Sequence, residues 1–266
     1  MKSFLQLLLT IFLLFSLMAC GGTNSSTAGY PEKPITFLVP WAPGGGTDLS
    51  SRLLAASLER KLGENVNVVN RTGGGGVIGH NALAQARPDG YTLGAITVEI
   101  GMMHWQGMTD LAPKNYTPLV LTMNNPAAIT VRQDAPWQSV EELLAAIRAN
   151  PGQIKASGTS RGGIWDLARI GFLQSAGLQP NDMPWVPSQG AAPALQELIA
   201  GGVEVVTAAL AEVAPMMQAG EVRVLGVMAE ERLPAFPKVP TLTEQGIDWQ
   251  LGGWVGFGAP AGLDST

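Results

Sequence analysis

Short apolar runs rich in β-branched residues alternate along the chain with segments whose apolar residues recur every three or four positions. In residues 35–62 this pattern predicts a buried strand, a glycine turn and a long amphipathic helix. Further strands are predicted at residues 66–69, 91–97, 128–131, 154–157, 185–186, 203–208 and 222–228. Further helices are predicted at residues 81–86, 139–150, 164–176, 191–200 and 213–219. This alternation predicts an α/β fold built on parallel sheets.

The start of the chain has the pattern of an export signal. Residues 1–3 include a lysine, and an apolar run follows at residues 4–18. The run is shorter than the about 20 residues that a membrane-spanning helix needs, so it predicts a secretory signal. Cys20, the only cysteine, ends the run in a sequence similar to the lipobox of bacterial lipoproteins. We predict a signal peptide at residues 1–20, with Cys20 as lipidation site, and a flexible tether at 21–29. The alternative is a simple signal peptide, without lipidation of Cys20.

Composition limits the classes of partner and the sources of stability. The chain has 14% charged and 46% hydrophobic residues, 33 glycines, 19 prolines and a net charge of −5. These values are typical of a globular chain with many turns. A slightly acidic chain without a basic cluster has no electrostatic footprint for nucleic acid, so we exclude that partner. A single cysteine provides no disulfide within the chain, and stability must come from hydrophobic cores.

The turn after the first strand is the strongest candidate for a binding site. Ligands in open α/β sheets bind beyond the carboxyl ends of strands, where helices begin. Free backbone N–H groups and the positive end of the helix dipole make such a turn suited to an anion. It lacks the lysine of a nucleotide P-loop and any nucleophile, which favours holding an anion over transforming one. Asp48 or Thr47 can cap the helix, and Trp41 either walls a pocket or belongs to the core. The candidate residues in this turn are Trp41, Pro43, Gly44, Gly45, Gly46, Thr47 and Asp48.

A second glycine turn follows the next predicted strand. Gly74, Gly76 and Gly79 fit the G-x-G-x-x-G pattern of dinucleotide-binding folds. That interpretation is weak because the acidic residue it needs about 20 positions later could only be Glu99, and because the chain is exported. We therefore interpret Gly74, Gly75 and Gly76 as a second anion-holding loop that faces the first. Arg71 is either a cationic ligand partner or a structural residue.

Three later turns add candidates by the same reasoning. The turn at residues 157–163 precedes a helix and offers hydroxyl groups and amides, which predicts an anion site on a second lobe. Arg161 adds a guanidinium group suited to a carboxylate, or is a surface residue. Glu212 follows a later strand and provides an acidic group. The candidates in these turns are Thr97 in one, Ser157, Thr159, Ser160 and Arg161 in the next, and Ser188, Gln189, Gly190 and Ala191 in the last.

Catalysis is the main alternative to binding. An exported hydrolase or transferase could use the glycine turns as an oxyanion site, but it needs a nucleophile beside a base. The chain contains only two histidines, His80 and His104, in neither triad nor metal spacing, and no G-x-S-x-G elbow. We expect His80 on the surface or at a helix cap, and His104 in a packed position or a pocket wall. We expect no catalytic residue, metal or cofactor.

Several segments resemble the Bug family, the extracytoplasmic solute receptors of tripartite tricarboxylate transporters. These segments are residues 30–35, 39–48, 70–71, 88–93, 150–152, 190–195, 219–220, 237–240 and 256–260. Each motif is common, but their order and spacing are specific. The resemblance covers essentially the whole chain after the predicted tether.

The resemblance implies a type II periplasmic-binding-protein fold of two lobes, each with a mostly parallel sheet flanked by helices. Lobe 1 is expected at residues 30–124 plus 252–266 and lobe 2 at residues 125–251. The chain would cross between the lobes at residues 124–126. The alternative is that residues 124–126 form only a surface loop. The lobes would close on a small di- or tricarboxylate. The turns at 43–48 and 72–76 would hold it, and those at 157–161 and 188–191 would set specificity. A lipid-anchored monomer in the periplasm, working with the membrane components of the transporter, is implied.

This chain also departs from the family pattern. Many relatives have an aromatic and a basic residue at 187–189, an acidic residue with an amide near 207–209, and Asn or Ser at 161. We therefore expect a ligand whose distal end differs from that of the relatives' ligands and carries an extra acidic group that faces Arg161. Relatives also continue for several dozen residues beyond positions 259–262. We expect lobe 1 to lack its C-terminal part, to expose apolar sheet surface, and to be less stable than in an extended chain.

Overall fold

The computed structural model describes residues 29–264. The predicted signal peptide, Cys20 and most of the tether lie outside the described residues. The described residues from Lys33 onward form one compact unit. No helix in the described part of the chain combines the length and the apolar character that crossing a membrane requires.

Strands and helices alternate through the compact unit, and most lie close to the predicted positions. The strand predicted at residues 128–131 begins much earlier, at Tyr116, and the strand at Gly252–Pro260 was not predicted. The strands are β1 (Ile35–Val39), β2 (Val66–Asn70), β3 (Thr92–Thr97), β4 (Tyr116–Arg132), β5 (Ala156–Ser157), β6 (Trp185–Val186), β7 (Val205–Ala209), β8 (Val222–Val227) and β9 (Gly252–Pro260). The helices are α1 (Gly46–Leu62), α2 (Val77–Ala84), α3 (Val140–Ala149), α4 (Ile164–Ser175), α5 (Ala191–Ala200) and α6 (Leu210–Gln218). Short 3-10 helices lie at Gly74–Gly76, Val98–Gly101, Pro113–Asn115, Pro180–Asp182 and Thr243–Gln245.

Local signals account for the ends of several helices. Ser139 caps α3 as predicted, because its hydroxyl accepts a hydrogen bond from the Glu142 N–H. Gly63 ends α1 in the left-handed conformation, with a φ of 76°. The predicted strand at 154–157 is shorter than expected, since only Ala156–Ser157 pair with neighbours. The predicted helices at 81–86 and 213–219 begin earlier, at Val77 and Leu210.

The strands form one mixed sheet in the order β2-β1-β3-β9-β4-β7-β5-β6, with β8 also paired to β4. The pairs at both ends of the sheet are parallel, as predicted. The central pairs are antiparallel, so the sheet as a whole is mixed. No α-helix of the described chain lies between β3 and β4, and without a helical crossover β4 is free to run antiparallel.

β4 joins the two halves of the sheet. Its residues 116–126 pair with β9, and residues 127–132 pair with β7 and β8. Residues 124–126 thus lie inside a continuous strand, and the alternative of a surface loop is wrong. In the first half of β4 the side chains of Leu119, Val120 and Leu121 are 51%, 48% and 65% exposed.

Hydrophobic clusters cover both halves of the sheet. In the first half, Phe37 of β1 meets Phe257 of β9 edge to face, with ring centroids 5.2 Å apart. In the second half, fully buried Leu143 and Phe172 belong to one cluster, and Leu198 belongs to another. These cores hold the strand ends in fixed positions, so the turns that follow the strands converge on one region.

Candidate ligand-binding site

A cavity lies where the turns after β1, β3 and β5 meet the start of α5, α6 and part of β9. Its walls combine backbone, hydroxyl, aromatic and carboxylate groups. The lining residues are Trp41, Ala42, Gly45, Gly46, Thr47, Thr97, Val98, Glu99, Asn125, Thr159, Ile164, Trp165, Gly190, Ala191, Glu212, Gly253, Trp254 and Val255. The cavity therefore draws on both halves of the sheet.

Eight of the sequence-predicted site residues line this cavity. They are Trp41, Gly45, Gly46, Thr47, Thr97, Thr159, Gly190 and Ala191. Eleven other predicted residues lie outside its lining, namely Pro43, Gly44, Asp48, Gly74, Gly75, Gly76, Ser157, Ser160, Arg161, Ser188 and Gln189. The structure thus brings together one or more residues from four of the five predicted turns, and leaves the 74–76 turn outside the lining.

The first turn is stabilised by an ionic cluster behind the cavity. α1 begins at Gly46 with Gly45 as the N-cap, so the expectation that Asp48 or Thr47 is the cap is wrong. The Asp48 carboxylate instead accepts hydrogen bonds from the Gly44 N–H at 3.0 Å, Arg52 at 3.0 Å and Asn70 at 2.8 Å. Burial alone would raise the pKa of Asp48, but these hydrogen bonds outweigh it and hold the pKa below its usual value. Asp48 therefore shapes the turn as an ion.

The N-terminus of α1 already receives a carboxylate from the protein itself. The Gly46 N–H donates to Oε1 of Glu212 at 2.8 Å, and the Ala209 N–H donates to Oε2 of the same side chain at 3.3 Å. A Cβ at Gly46 would lie 3.1 Å from Cγ of Glu212, so glycine permits this close approach. Within the described chain, the N–H groups of Gly45 and Thr47 donate to no acceptor. Two donors at the helix end thus remain for an anion.

At the N-terminus of α4, a glutamate from the first half of the sheet has the position that Glu212 has at α1. Glu99, which follows β3, accepts a long hydrogen bond from the Ile164 N–H at 3.5 Å through Oε1. Its Oε2 accepts from the Thr97 hydroxyl at 2.5 Å. A glutamate from each half of the sheet therefore reaches the first turn of a helix in the other half, where the helix dipole favours negative charge.

Burial also affects the acidity of both glutamates. Burial raises the pKa of Glu99 and that of Glu212, and repulsion from Glu99 adds to the rise at Glu212. Among the lining residues there is no lysine, arginine or histidine. The cavity therefore contains two carboxyl groups without a cationic side chain beside them. In residues 29–264 no group of three or more His, Cys, Asp or Glu side chains could hold a metal ion.

His80 supports the wall of the cavity from behind. It is fully buried, so its predicted position on the surface or at a cap is wrong. Nδ1 lies 2.8 Å from the Gly76 carbonyl oxygen, and Nε2 accepts from the Thr97 N–H at 3.3 Å. Burial lowers the pKa of His80 to about 4, so the ring is neutral at pH 7. The neutral imidazole fixes the end of β3, where Thr97 also accepts from the Trp41 indole N–H at 3.4 Å.

The predicted residues outside the lining connect the turns to one another. The Ser157 hydroxyl donates to the Val186 carbonyl at 2.7 Å, and the exposed Arg161 donates to the Trp185 carbonyl at 3.2 Å. The Gln189 carbonyl accepts from the Ala42 N–H at 3.2 Å, which joins the first and last turns. A Cβ at Gly75 would lie 2.9 Å from the Ser160 hydroxyl oxygen, so these two turns are in contact.

His104 lies outside the cavity lining, half-buried against Trp105, with ring centroids 4.9 Å apart. This arrangement agrees with a packed position for His104 and does not place it in the pocket wall.

Sequence reasoning missed several lining residues, chiefly Asn125, Trp165 and Trp254. Glu99 and Glu212 lie within three residues of the ends of β3 and β7. From the sequence, Glu212 is an acidic group after a strand and Glu99 is considered only for a dinucleotide site, and neither is predicted as a ligand-binding residue. Trp254 lies on the antiparallel strand β9, and no local sequence signal marks its approach to the site.

Comparisons with known proteins agree with this architecture. The TctC family model, described as tripartite tricarboxylate transporter family receptor, matches residues 50–266. Protein BugT of Bordetella pertussis is 30% identical over 262 residues, an alignment that covers 93% of this chain and 79% of BugT. The solved structure of the periplasmic binding protein BugD has a TM-score of 0.81 and 29% identity, and covers 89% of this chain and 79% of its own. Rpa4515 of R. palustris, solved with adipate, has a TM-score of 0.83 and 29% identity with the same coverage of both chains.

These matches confirm the resemblance and the periplasmic-binding-protein fold that it implied. The family model covers well over half of the chain, and BugT matches along nearly all of it. The family consists of solute receptors and is not an enzyme family. The chain therefore belongs to the Bug-type receptors of tripartite tricarboxylate transporters.

Proposed function

We propose that this chain works in the periplasm, captures a small organic acid in the cavity between the two halves of the sheet, and delivers it to the membrane components of a tripartite tricarboxylate transporter. The observation that carries the proposal is the N-terminus of α1, where Gly45 and Thr47 line the cavity and their N–H groups have no acceptor in the described chain. Such a helix end binds carboxylates through hydrogen bonds and the dipole. Rpa4515 was solved with adipate, a dicarboxylate, which supports the same ligand class here.

In this proposal, one end of the ligand binds the N-terminus of α1 and its other end contacts the second half of the sheet. Thr159, Gly190 and Ala191 line that side of the cavity and would set specificity. Arg161 is exposed and bonded to a backbone carbonyl, so it supports the turn and does not need an extra acidic group on the ligand. Residues 74–76 contact Ser160 and would help to close the site rather than hold the carboxylate.

We further propose that the cavity carries out no catalysis. The Thr97 hydroxyl contacts the Glu99 carboxylate, an arrangement that places a hydroxyl beside an acceptor. However, the Thr97 hydroxyl oxygen also accepts from the Trp41 indole N–H and lies 3.3 Å from Nε2 of the neutral His80 ring, so it is held in a structural network. A hydrolase or transferase that uses the glycine turn as an oxyanion site would need a base free to accept a proton.

Calorimetric titration with four- to six-carbon organic acids, followed by mass analysis of the recovered ligand, tests this function. We expect one binding site and unchanged ligand. Gly45→Pro removes the donor N–H at a φ of −79°, which proline can adopt. It should weaken binding about 10- to 100-fold, as expected for a hydrogen bond to a charged group. Gly45→Ala, which keeps the N–H, is the matched control. Consumption of the acid, or equal affinities of the two variants, would contradict the proposal.

We also propose that the chain is exported as a lipoprotein and works as a monomer. The proposal rests on the apolar run at residues 4–18 and on Cys20 at its end. Cys20→Ala should move the protein from the membrane fraction to the aqueous periplasmic fraction, while its ligand affinity stays the same. Recovery of both forms in the aqueous fraction would exclude the anchor. Light scattering of the purified protein tests the monomer.

A further inference from the structure

The segment at residues 98–108 is anchored in the first half of the sheet and packs against the second half. It follows β3, and its Ile100 and Met103 are buried in a hydrophobic cluster of the first half. Val98 and Met102 instead pack against the hydrophobic cluster of the second half that contains Trp165. If the two halves separated, the apolar surface of Val98 and Met102 would be exposed to water, which is unfavourable.

Polar groups of the same segment hold the turn that leads into α4. The Gln106 side-chain amide donates to the Gly162 carbonyl oxygen at 2.7 Å. The Glu99 carboxyl group accepts from the N–H of Ile164, two residues further along the same turn. The 98–108 segment thus contacts the second half of the sheet through apolar packing, one donor and one acceptor.

The carbonyl group that Gln106 contacts is held in place by its own half of the sheet. The Gly162 N–H donates to the Asp166 carboxylate at 2.8 Å, and Asp166 forms the buried ion pair with Arg169. A Cβ at Gly162 would lie 3.0 Å from Oε1 of Gln106, so the glutamine side chain lies directly against this residue. Because the acceptor is already fixed, the hydrogen bond from Gln106 has to order only one side chain.

This contact lies outside the binding cavity. Gln106 is exposed and does not belong to the cavity lining, whereas Ile164 and Trp165, at the end of the turn that it holds, do line the cavity. A protein whose binding-competent form is only partly populated binds its ligand more weakly by that fraction. A contact that stabilises the closed form therefore raises the affinity for every ligand by the same factor.

We propose that the 98–108 segment is a clasp that stabilises the closed cleft, and that Gln106 is a positioning residue, which sets ligand affinity through closure and not through contact with the ligand. This inference rests on the proposed receptor function, and it adds a determinant of affinity outside the binding site. The clasp joins the two halves in the absence of ligand, so it can be tested separately from binding.

Substitutions at Gln106 in the full chain test the clasp. Gln106→Glu keeps the shape of the side chain but places an acceptor against the Gly162 carbonyl, and Gln106→Ala removes the contact. In both variants we expect the radius of gyration of the ligand-free protein, measured by small-angle X-ray scattering, to increase. Calorimetric titration with succinate, malate and adipate should show binding about 3- to 10-fold weaker, by the same factor for each acid that binds.

Gln153→Ala is the matched control. Gln153 is also an exposed glutamine, but it precedes β5 and so lies at the end of that strand opposite to the cavity. This substitution should change neither the radius of gyration nor the affinities. Met102→Ala, which removes part of the apolar contact, should act in the same direction as the Gln106 variants.

Three results would overturn the inference. The first is a ligand-free radius of gyration that is the same in Gln106→Glu as in the unaltered protein. The second is an unchanged affinity for the acids that bind, and the third is a changed preference among them, which would mean that Gln106 contacts the ligand. If none of the acids binds, the receptor function fails, and the ligand-free radius still decides whether the clasp exists. Thermal unfolding checks that each variant is folded, as expected for substitutions at an exposed position.

Discussion

At the scale of single residues, the acidic side chains divide into paired and unpaired groups. Asp166 forms an almost fully buried ion pair with Arg169, whose guanidinium group also donates to the Pro180 and Met183 carbonyls. Asp166 in turn accepts from the Gly162 N–H at 2.8 Å, at the turn that leads into α4. This network fixes the α4 end of the cavity wall and has no contact with the cavity itself. Its role is structural.

Removal of one partner of this buried pair should be strongly destabilising. Arg169→Ala leaves the Asp166 carboxylate buried without its cation and two carbonyl groups without a donor. We expect a loss of about 3–5 kcal/mol in the free energy of unfolding, measured with urea. Arg232→Ala, which breaks the exposed contact to Glu244, is the control and should change stability little. A similar small change in both variants would show that the buried network is dispensable.

The buried His80 ring should make stability depend on pH. Its folded pKa of about 4 lies below the ordinary value of 6.5, so the unfolded chain binds more protons between these two values. Stability from this group is therefore complete above pH 6.5 and is lost as the pH falls toward 4, by roughly 3 kcal/mol. Glu99 and Glu212, whose pKa values are raised, contribute in the opposite direction.

Urea unfolding from pH 7 to pH 4, carried out in parallel on His80→Gln, isolates the histidine contribution because the glutamates are common to both proteins. The unaltered protein should lose more stability than the variant on acidification. Parallel pH profiles would contradict a buried neutral imidazole.

At the scale of elements, the glycines of the G-x-G-x-x-G pattern contribute to packing. Gly79 lies in α2, and a Cβ there would come within 2.5 Å of Pro40 Cα and 2.6 Å of the Arg71 carbonyl oxygen. Both neighbours are backbone atoms and cannot move aside cheaply. Glycine at this position therefore lets α2 approach the end of β1, next to the first turn of the site.

Gly79→Ala should force α2 away from β1 and lower the free energy of unfolding by about 1–3 kcal/mol, the usual cost of overpacking. Gly101→Ala is a suitable control, because a Cβ at Gly101 meets no atom within 4 Å. Thermal or urea unfolding of both variants measures the difference. Equal stabilities would mean that the close approach of α2 is not required.

The elements also show how far the sequence could predict the site. Features set by neighbouring residues were predictable, such as the unit of β1, glycine turn and α1, and the Ser139 cap of α3. Contacts between distant residues were not. Glu212 reaches Gly46 across 166 positions of the chain, and Glu99 reaches Ile164 across 65. The antiparallel position of β9 also depends on tertiary pairing, since its sequence has no local signal for direction.

At the scale of the whole molecule, two segments of the chain cross between the halves of the sheet: the middle of β4 and the residues that lead into β9. β4 changes partners between Pro126 and Ala127, and the Ala127 N–H donates to the Leu251 carbonyl just before β9 begins. This pattern supports our proposal that the lobes comprise residues 30–124 with 252–266 and residues 125–251. The two crossing segments would then act as the hinge, and the glutamates would contact the opposite lobe when the cleft is closed.

Ligand binding should favour the closed form. We expect the radius of gyration, measured by small-angle X-ray scattering, to decrease when an organic acid that binds is added. Gly45→Pro with the same ligand serves as the comparison, since it should bind the acid more weakly and show a smaller change at equal concentration. An unchanged radius in the saturated unaltered protein would contradict a closing cleft.

A crystal structure of the protein with its tightest-binding acid tests the central claim most directly. Our account predicts the ligand carboxylate on the Gly45 and Thr47 N–H groups, with the far end of the ligand beside Thr159, Gly190 and Ala191. A ligand bound outside this cavity, or one whose carboxylate lies away from the N-terminus of α1, would contradict the account.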